Sequence, residues 1–145
     1  SGDGYKLDSF TQYGAYDRLN NKKTPSLRCS GDNDKFRVSS TSAKLDYPIG
    51  LILADEVALA GGVYNATNTN YYLYNSKNLW TLSPSYFYSI ISHAYVWRVM
   101  SSGGLYPGYG VANMYEVRPV INLKANTLIT KGDGSSINPF VLSGN

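Results

Sequence analysis

Tyr47-Pro48-Ile49-Gly50-Leu51-Ile52-Leu53-Ala54-Asp55-Glu56-Val57-Ala58-Leu59-Ala60-Gly61-Gly62 carries the clearest helix signal in the chain, in its second half. Ala54 to Ala60 are helix formers with two acidic residues in the first turn, where the helix dipole favours negative charge. Gly61-Gly62 supplies the stop. Ala54 is a poor N-cap, which assigns the cap to Asp55. Asp55 and Glu56 are adjacent on a helix and diverge, so they do not form a carboxylate pair for acid–base work. Upstream, Tyr13-Gly14-Ala15-Tyr16-Asp17-Arg18-Leu19 spaces Tyr16 and Leu19 three apart and predicts a second short helix, stopped by Thr24-Pro25.

After Gly62 the pattern changes to short strands. Tyr71-Tyr72-Leu73-Tyr74 and Leu79-Trp80-Thr81-Leu82 are β-prone, with Asn75-Ser76-Lys77-Asn78 as a turn between them. Ala94 to Met100 alternates aromatic and β-branched residues; Ser101-Ser102-Gly103-Gly104 turns, and Leu105-Tyr106 begin the return before Pro107-Gly108. Val117 to Leu123 is a further strand, with Pro119 marking an edge or bulge. Lys131-Gly132-Asp133-Gly134 is a hairpin turn, and Pro139 to Leu142 close the chain. Helices first and an antiparallel meander afterwards make an α+β arrangement.

The 145 residues suit one domain, 1–145. No basic-then-apolar leader opens it, and Ser1-Gly2 reads as the start of a trimmed chain, the C-terminal part of a longer protein. Thirteen basic against ten acidic side chains give +3, too weak a balance to imply nucleic acid. No apolar run approaches the roughly eighteen residues of a membrane span. One cysteine excludes an internal disulfide and a cysteine-cluster zinc site, and Cys29 reads as a small half-buried residue. The only histidine, His93, has no nucleophile motif around it and reads as a loop contact. Asp32-Asn33-Asp34 lacks the later glycine and glutamate of a calcium loop and reads as a turn. Asn65-Ala66-Thr67 matches a glycosylation sequon, a pattern frequent by chance. No cofactor and no enzyme chemistry are expected.

Tyrosine stands out, with fourteen in the chain. Large contact area, two torsions and one polar tip make Tyr, with Ser, Gly and Asn, the vocabulary of binding loops. These residues dominate the stretch from Tyr86 to Tyr115. Alternation along a strand sends about half of any such set inward, and Trp80, Phe87 and Tyr95 are the core candidates.

The run Tyr47–Gly62 resembles a signature of exported bacterial proteins with a C-type-lectin-like fold, a fold group that includes formylglycine-generating enzymes. Tyr71-Tyr72-Leu73-Tyr74, Trp80-Thr81-Leu82-Ser83-Pro84, Ala94-Tyr95-Val96 and Val117 to Leu123 fit the same pattern, as does Gly132-Asp133-Gly134 with Asn138-Pro139-Phe140-Val141. The resemblance covers residues 13–142. It implies two short helices followed by an antiparallel meander with long loops, at the cell surface, outside the cell or on a phage particle. A formylglycine-generating enzyme needs two reactive cysteines, and classical calcium lectins need Glu-Pro-Asn or Gln-Pro-Asp with Trp-Asn-Asp; neither set occurs here, so neither activity carries over.

In fold and in the placement of irregular residues the chain is similar to the variable proteins of diversity-generating retroelements. Those systems mutate template adenines, commonly in Asn codons, and so reach Tyr, Ser, Ile, His, Arg, Gly, Pro, Ala, Val and Asn but not Trp, Met, Glu or Lys. The resemblance implies a ligand-binding face at Tyr86, Tyr88, Ser89, Ile90, Ile91, Ser92, His93, Trp97, Arg98, Tyr106, Tyr109, Asn113 and Tyr115. Gly104, Pro107 and Ala112 are also reachable. Trp97 joins the face by position although mutation of this kind cannot reach it, as with Met100, Met114 and Glu116. Glu116 stands where the family's glycine precedes Val-Arg-Pro. The ligand is a protein or another surface group, and the module can be oligomeric. The alternative is a pilin-like or surface-layer subunit whose Tyr-rich face packs against its neighbours.

Two structural expectations follow. Glu56, Leu59, Trp80 and Arg118 serve the scaffold: Leu59 and Trp80 are mostly buried, Leu59→Ala costs about 2–5 kcal/mol, and Arg118 pairs with a carboxylate, first Asp55 or Glu56, or with several carbonyls. Tyr88, His93, Arg98, Tyr106, Tyr109 and Asn113 emerge exposed in one patch, each replaceable within about 0.5 kcal/mol.

Overall fold

The computed structural model describes residues 5–7, 9–29, 37–39, 44–135 and 137–143; Asp32-Asn33-Asp34 lies outside them. Strands β1 (Tyr5–Leu7) and β2 (Phe10–Gln12) lead into helix α1 (Gly14–Tyr16), which widens into a π-helical stretch over Asp17–Lys22. Lys23, left-handed at φ 53°, ends it before Thr24-Pro25. Then come β3 (Ile49–Leu51), α2 (Ala54–Ala60), β4 (Leu79–Tyr88), β5 (His93–Val99), β6 (Leu105–Gly110), β7 (Pro119–Ile121), β8 (Ile129–Lys131) and β9 (Val141–Leu142). The strands form an antiparallel sheet ordered β1-β2-β4-β5-β6 and two small antiparallel pairs, β3-β7 and β8-β9. Two short helices with antiparallel sheets bear out the α+β expectation.

Helix α2 has the expected bounds and a different cap. Leu53 occupies the N-cap position; its side chain accepts nothing, but its N–H donates to Glu56 Oε2 at 2.7 Å. Asp55 is freed for another task. Its buried carboxylate accepts Arg18 Nε at 2.9 Å, Arg18 Nη2 at 2.8 Å and the Ser26 N–H at 2.8 Å. This bidentate pair ties α2 to the first helical segment, and the carboxylate raises the Arg18 pKa. Arg118 therefore pairs with neither Asp55 nor Glu56; Nη1 donates to the Leu73 carbonyl at 2.7 Å. Leu59 points away from the core and is 57% exposed, against expectation, because α2 buries only its Ala54–Asp55–Val57 stripe.

The core comprises Ala15, Leu19, Ile52, Ala54, Val57, Leu79, Trp97, Val99 and Leu105. On β4 the inward positions after Leu79 are Thr81, Ser83 and Ser85, all buried and all bonded. Thr81 donates to the Trp97 carbonyl at 2.8 Å, Ser83 Oγ accepts the Ala54 N–H at 2.9 Å, and Ser85 donates to the Pro107 carbonyl at 2.6 Å. Small hydroxyls here leave room for Trp97 and for the start of α2. Trp80, Phe87 and Tyr95, expected in the core, are each only half-buried.

Tyr71 to Tyr74 form a turn and no strand. The segment is pinned sideways to the β5–β6 turn: Tyr71 Oη donates to the Gly103 carbonyl at 2.8 Å, and the Asn68 N–H to the Ser102 carbonyl at 3.1 Å. Gly103 makes this possible, being left-handed (φ 83°) with the Asn68 carbonyl where a Cβ would stand. Of Val117 to Leu123 only Pro119–Ile121 pair as strand, against β3. Asp133-Gly134, expected as the hairpin turn, lie just before the reversal: both N–H groups donate to the Asn138 carbonyl, at 3.0 and 3.2 Å, and the Asn138 N–H donates to the Ser135 carbonyl at 3.2 Å. Cys29 is exposed, where a half-buried position was expected.

Candidate functional site

The thirteen expected contact residues fall into four places. Trp97 is wholly buried at the centre of the core, its ring 5.9 Å from that of Tyr64 and 6.2 Å from that of Tyr16; it cannot belong to a display face. The reason is parity: Tyr95, Trp97 and Val99 alternate onto the core side of β5.

Tyr86 and Tyr88 lie on the core-side end of the sheet. Tyr86 stacks on Tyr95 at 4.4 Å and meets Phe10 and Tyr16 edge-on, while Tyr88 stacks on Phe10 at 4.3 Å. Burial, with the neighbouring phenols of Tyr95, Tyr106, Tyr16 and Tyr64, pushes the Tyr86 hydroxyl up to about 12. Tyr88 thus stands apart from Arg98, Tyr106 and Tyr109, and the expected single patch is divided.

Ser89, Ile90, Ile91, Ser92 and His93 form the exposed β4–β5 tip. Its backbone is held: the Ser89 N–H donates to the Ser9 carbonyl at 2.9 Å, the Val111 N–H to the Ala94 carbonyl at 3.1 Å, and Ser92 is left-handed at φ 53°. His93 Nδ1 lies 2.6 Å from the Ile91 carbonyl. Exposed Asn113 closes the adjacent turn, Nδ2 donating to the Gly110 carbonyl at 2.9 Å. A Cβ on Gly110 would touch both His93 and Asn113, so the two loops meet there.

The fourth place is the outer face of the sheet. Arg98 pairs across with Trp80 on β4 and Tyr106 on β6. Its guanidinium carbon lies 3.7 Å from the Tyr109 ring centroid, 4.9 Å from that of Tyr115 and 5.8 Å from that of Tyr106. Tyr115 meets Trp80 edge-on at 4.8 Å and Tyr109 at 5.4 Å. Arg98 Nη1 donates to Asn78 Oδ1 at 3.0 Å, and that oxygen also accepts the Ser101 N–H. Burial raises the Tyr115 phenol, with Arg98 pulling the other way and Tyr109 adding to the rise. All five large side chains are half-buried, which leaves ring edges open to a partner.

Trp80 and Asn78 belong to this cluster although they were assigned to scaffold and turn. The Trp80–Arg98 cross-strand pairing is the signal that places them there, and it depends on register. Among the described residues no group of His, Cys, Asp and Glu can hold a metal ion, and no helix is long and apolar enough to cross a membrane. No protein-family model, curated protein or solved structure matches the chain.

Proposed function

We propose that the chain is a binding module of the C-type-lectin-like kind, a rigid frame that displays a variable surface to a protein or other surface ligand outside the cell. The observation that carries this reading is the β4–β5 tip with its neighbouring turn. Ser89 to His93 and Asn113 are exposed, while the backbone beneath them is held by main-chain bonds that a change of side chain other than to proline would not remove. A frame that keeps its shape loses little affinity to loop ordering. The half-buried Trp, Tyr and Arg of the outer face add the residue types that dominate binding hot spots.

Diversification by a retroelement is part of the proposal. Sequencing the gene's neighbourhood tests it: a reverse transcriptase gene and a near-copy of the segment encoding residues 86–115, differing at adenines, are the expected finding. An intact locus without either removes the variable-protein reading. The subunit reading draws support from a different region. Ile121, Leu128, Ile129, Phe140 and Val141, on and between β7, β8 and β9, are all exposed apolar side chains. Sedimentation of the purified chain as a concentration-dependent oligomer would favour that reading.

A further inference from the structure

Arg98 has an unmet need. Among the described residues no carboxylate pairs with it; the described ion pairs are Arg18–Asp55, Lys22–Asp17 and Lys77–Glu116. Glu116, next to Tyr115, is held by Lys77 at 3.2 Å. Of the guanidinium nitrogens only Nη1 has an acceptor, and Nε is buried without one. Ring faces offset part of the cost of a half-buried cation, but an N–H donor aimed at no acceptor is still costly.

We propose that Arg98, with Tyr106, Tyr109 and Tyr115 around it, is a recognition site for the carboxylate of an acidic side chain on a protein ligand. The inference rests on reading the chain as a binding module. A planar carboxylate matches the Nη2–Nε edge of the guanidinium, the edge Asn78 leaves free, and bonds there are charge-assisted. Nε is buried, so the second carboxylate oxygen reaches it only when a neighbouring side chain shifts aside. Trp80 and the fully exposed side chain of Met114 border the cluster in space and in sequence and offer apolar contact to residues flanking the acid, which a free small carboxylate would not use.

The test is an NMR titration of the whole chain with the blocked peptide acetyl-Leu-Glu-Leu-amide, following the Arg98 Nε–H. Saturable movement of that resonance is expected, with binding at least about tenfold weaker for the Gln peptide. Free acetate or inorganic phosphate binding as tightly as the Glu peptide would overturn the assignment to a protein side chain. Equal binding of the Glu and Gln peptides would overturn the carboxylate site in the native protein, without recourse to any variant. Arg98→Lys keeps the charge and loses the fork, so its affinity, read from backbone amides, is expected to fall at least about fivefold; unchanged affinity refutes the role of Arg98. Loss of this site leaves the β4–β5 tip untouched, so failure here and failure of the display reading are told apart by the gene-neighbourhood result.

Discussion

Replacing Trp97 separates a core ring from a display ring. The side chain is wholly buried between Tyr16 and Tyr64. Burying an aromatic of this size removes about 150–250 Å² from water, about 4–6 kcal/mol at 25 cal/mol/Å². Truncation of such residues costs about 3–5 kcal/mol in practice. Unfolding entropy of about 2.1 cal/mol/K per residue makes each kcal/mol worth about 3 °C in a chain of this length. Trp97→Ala is therefore expected to melt about 10–16 °C below the parent. Trp97→Phe is a sharper probe of the reasoning. It leaves a smaller void, and it also removes Nε1, which is buried without a hydrogen-bond partner and costs about 1–3 kcal/mol. The two effects oppose, so Trp97→Phe is expected within about 1 kcal/mol of the parent. Thermal melts followed by far-ultraviolet circular dichroism read both variants. A Trp97→Ala protein melting within about 3 °C of the parent would refute the core placement. A Phe variant as damaged as the Ala variant would show that the indole N–H is satisfied.

Leu105→Ala is expected to cost about 2–5 kcal/mol and Leu59→Ala under about 1 kcal/mol, since the first is 1% and the second 57% exposed; urea melts of both check the burial pattern of α2 and β6. Asp55→Asn leaves Arg18 unneutralised and should cost about 3 kcal/mol, the low end for a broken buried pair because the Arg18 side chain is 35% exposed. The Tyr86 phenol, at about 12 in the fold against 10.0 in the free side chain, keeps its proton longer when folded. Its burial therefore contributes stability in full below pH 10 and loses it as pH rises toward 12. Alkaline titration followed by tyrosinate absorbance should lose its latest phase in Tyr86→Phe.

Local pattern was enough for helix α2 and for the strands on either side of the β5–β6 turn. Ala54–Ala60 has both an acidic first turn and a double-glycine stop, and the β5–β6 turn sits on Ser101 to Gly104. The core was not legible in the same way. Hydrophobicity directs attention to Trp80 and Phe87, whereas the inner face of β4 continues from Leu79 with Thr81, Ser83 and Ser85. Each hydroxyl has a partner outside its own strand, on β5, β6 or α2, so nothing in the local sequence marks it as buried. Asp55 was misread for the same reason, since Arg18 is 37 residues away. Tyr71 to Tyr74 look like a strand because their β propensity is high. Their role is set by Gly103, which accepts the Tyr71 hydroxyl on its carbonyl and leaves room for the Asn68 backbone.

The division of the Tyr-rich window follows from register. On β4, Trp80 pairs with Arg98 and Pro84 with Val96, but Tyr86 then pairs with Tyr95. One extra β4 residue in that last step moves Tyr86 from the outer side to the core side, where it joins Tyr16 and Tyr95. Pro84 contributes by bringing no N–H to the ladder at an exposed position. On β6 the opposite gain occurs. Tyr106 and Tyr109 are three apart and would face opposite sides of a regular strand. The extra residue between the Val96–Tyr109 and Arg98–Tyr106 pairs puts both on the outer side, against one guanidinium. The Arg98 cluster therefore exists because of a bulge. Deleting Gly108 would leave the two tyrosines two apart, so regular alternation alone is expected to keep both rings on the outer side against Arg98 and the bulge becomes unnecessary.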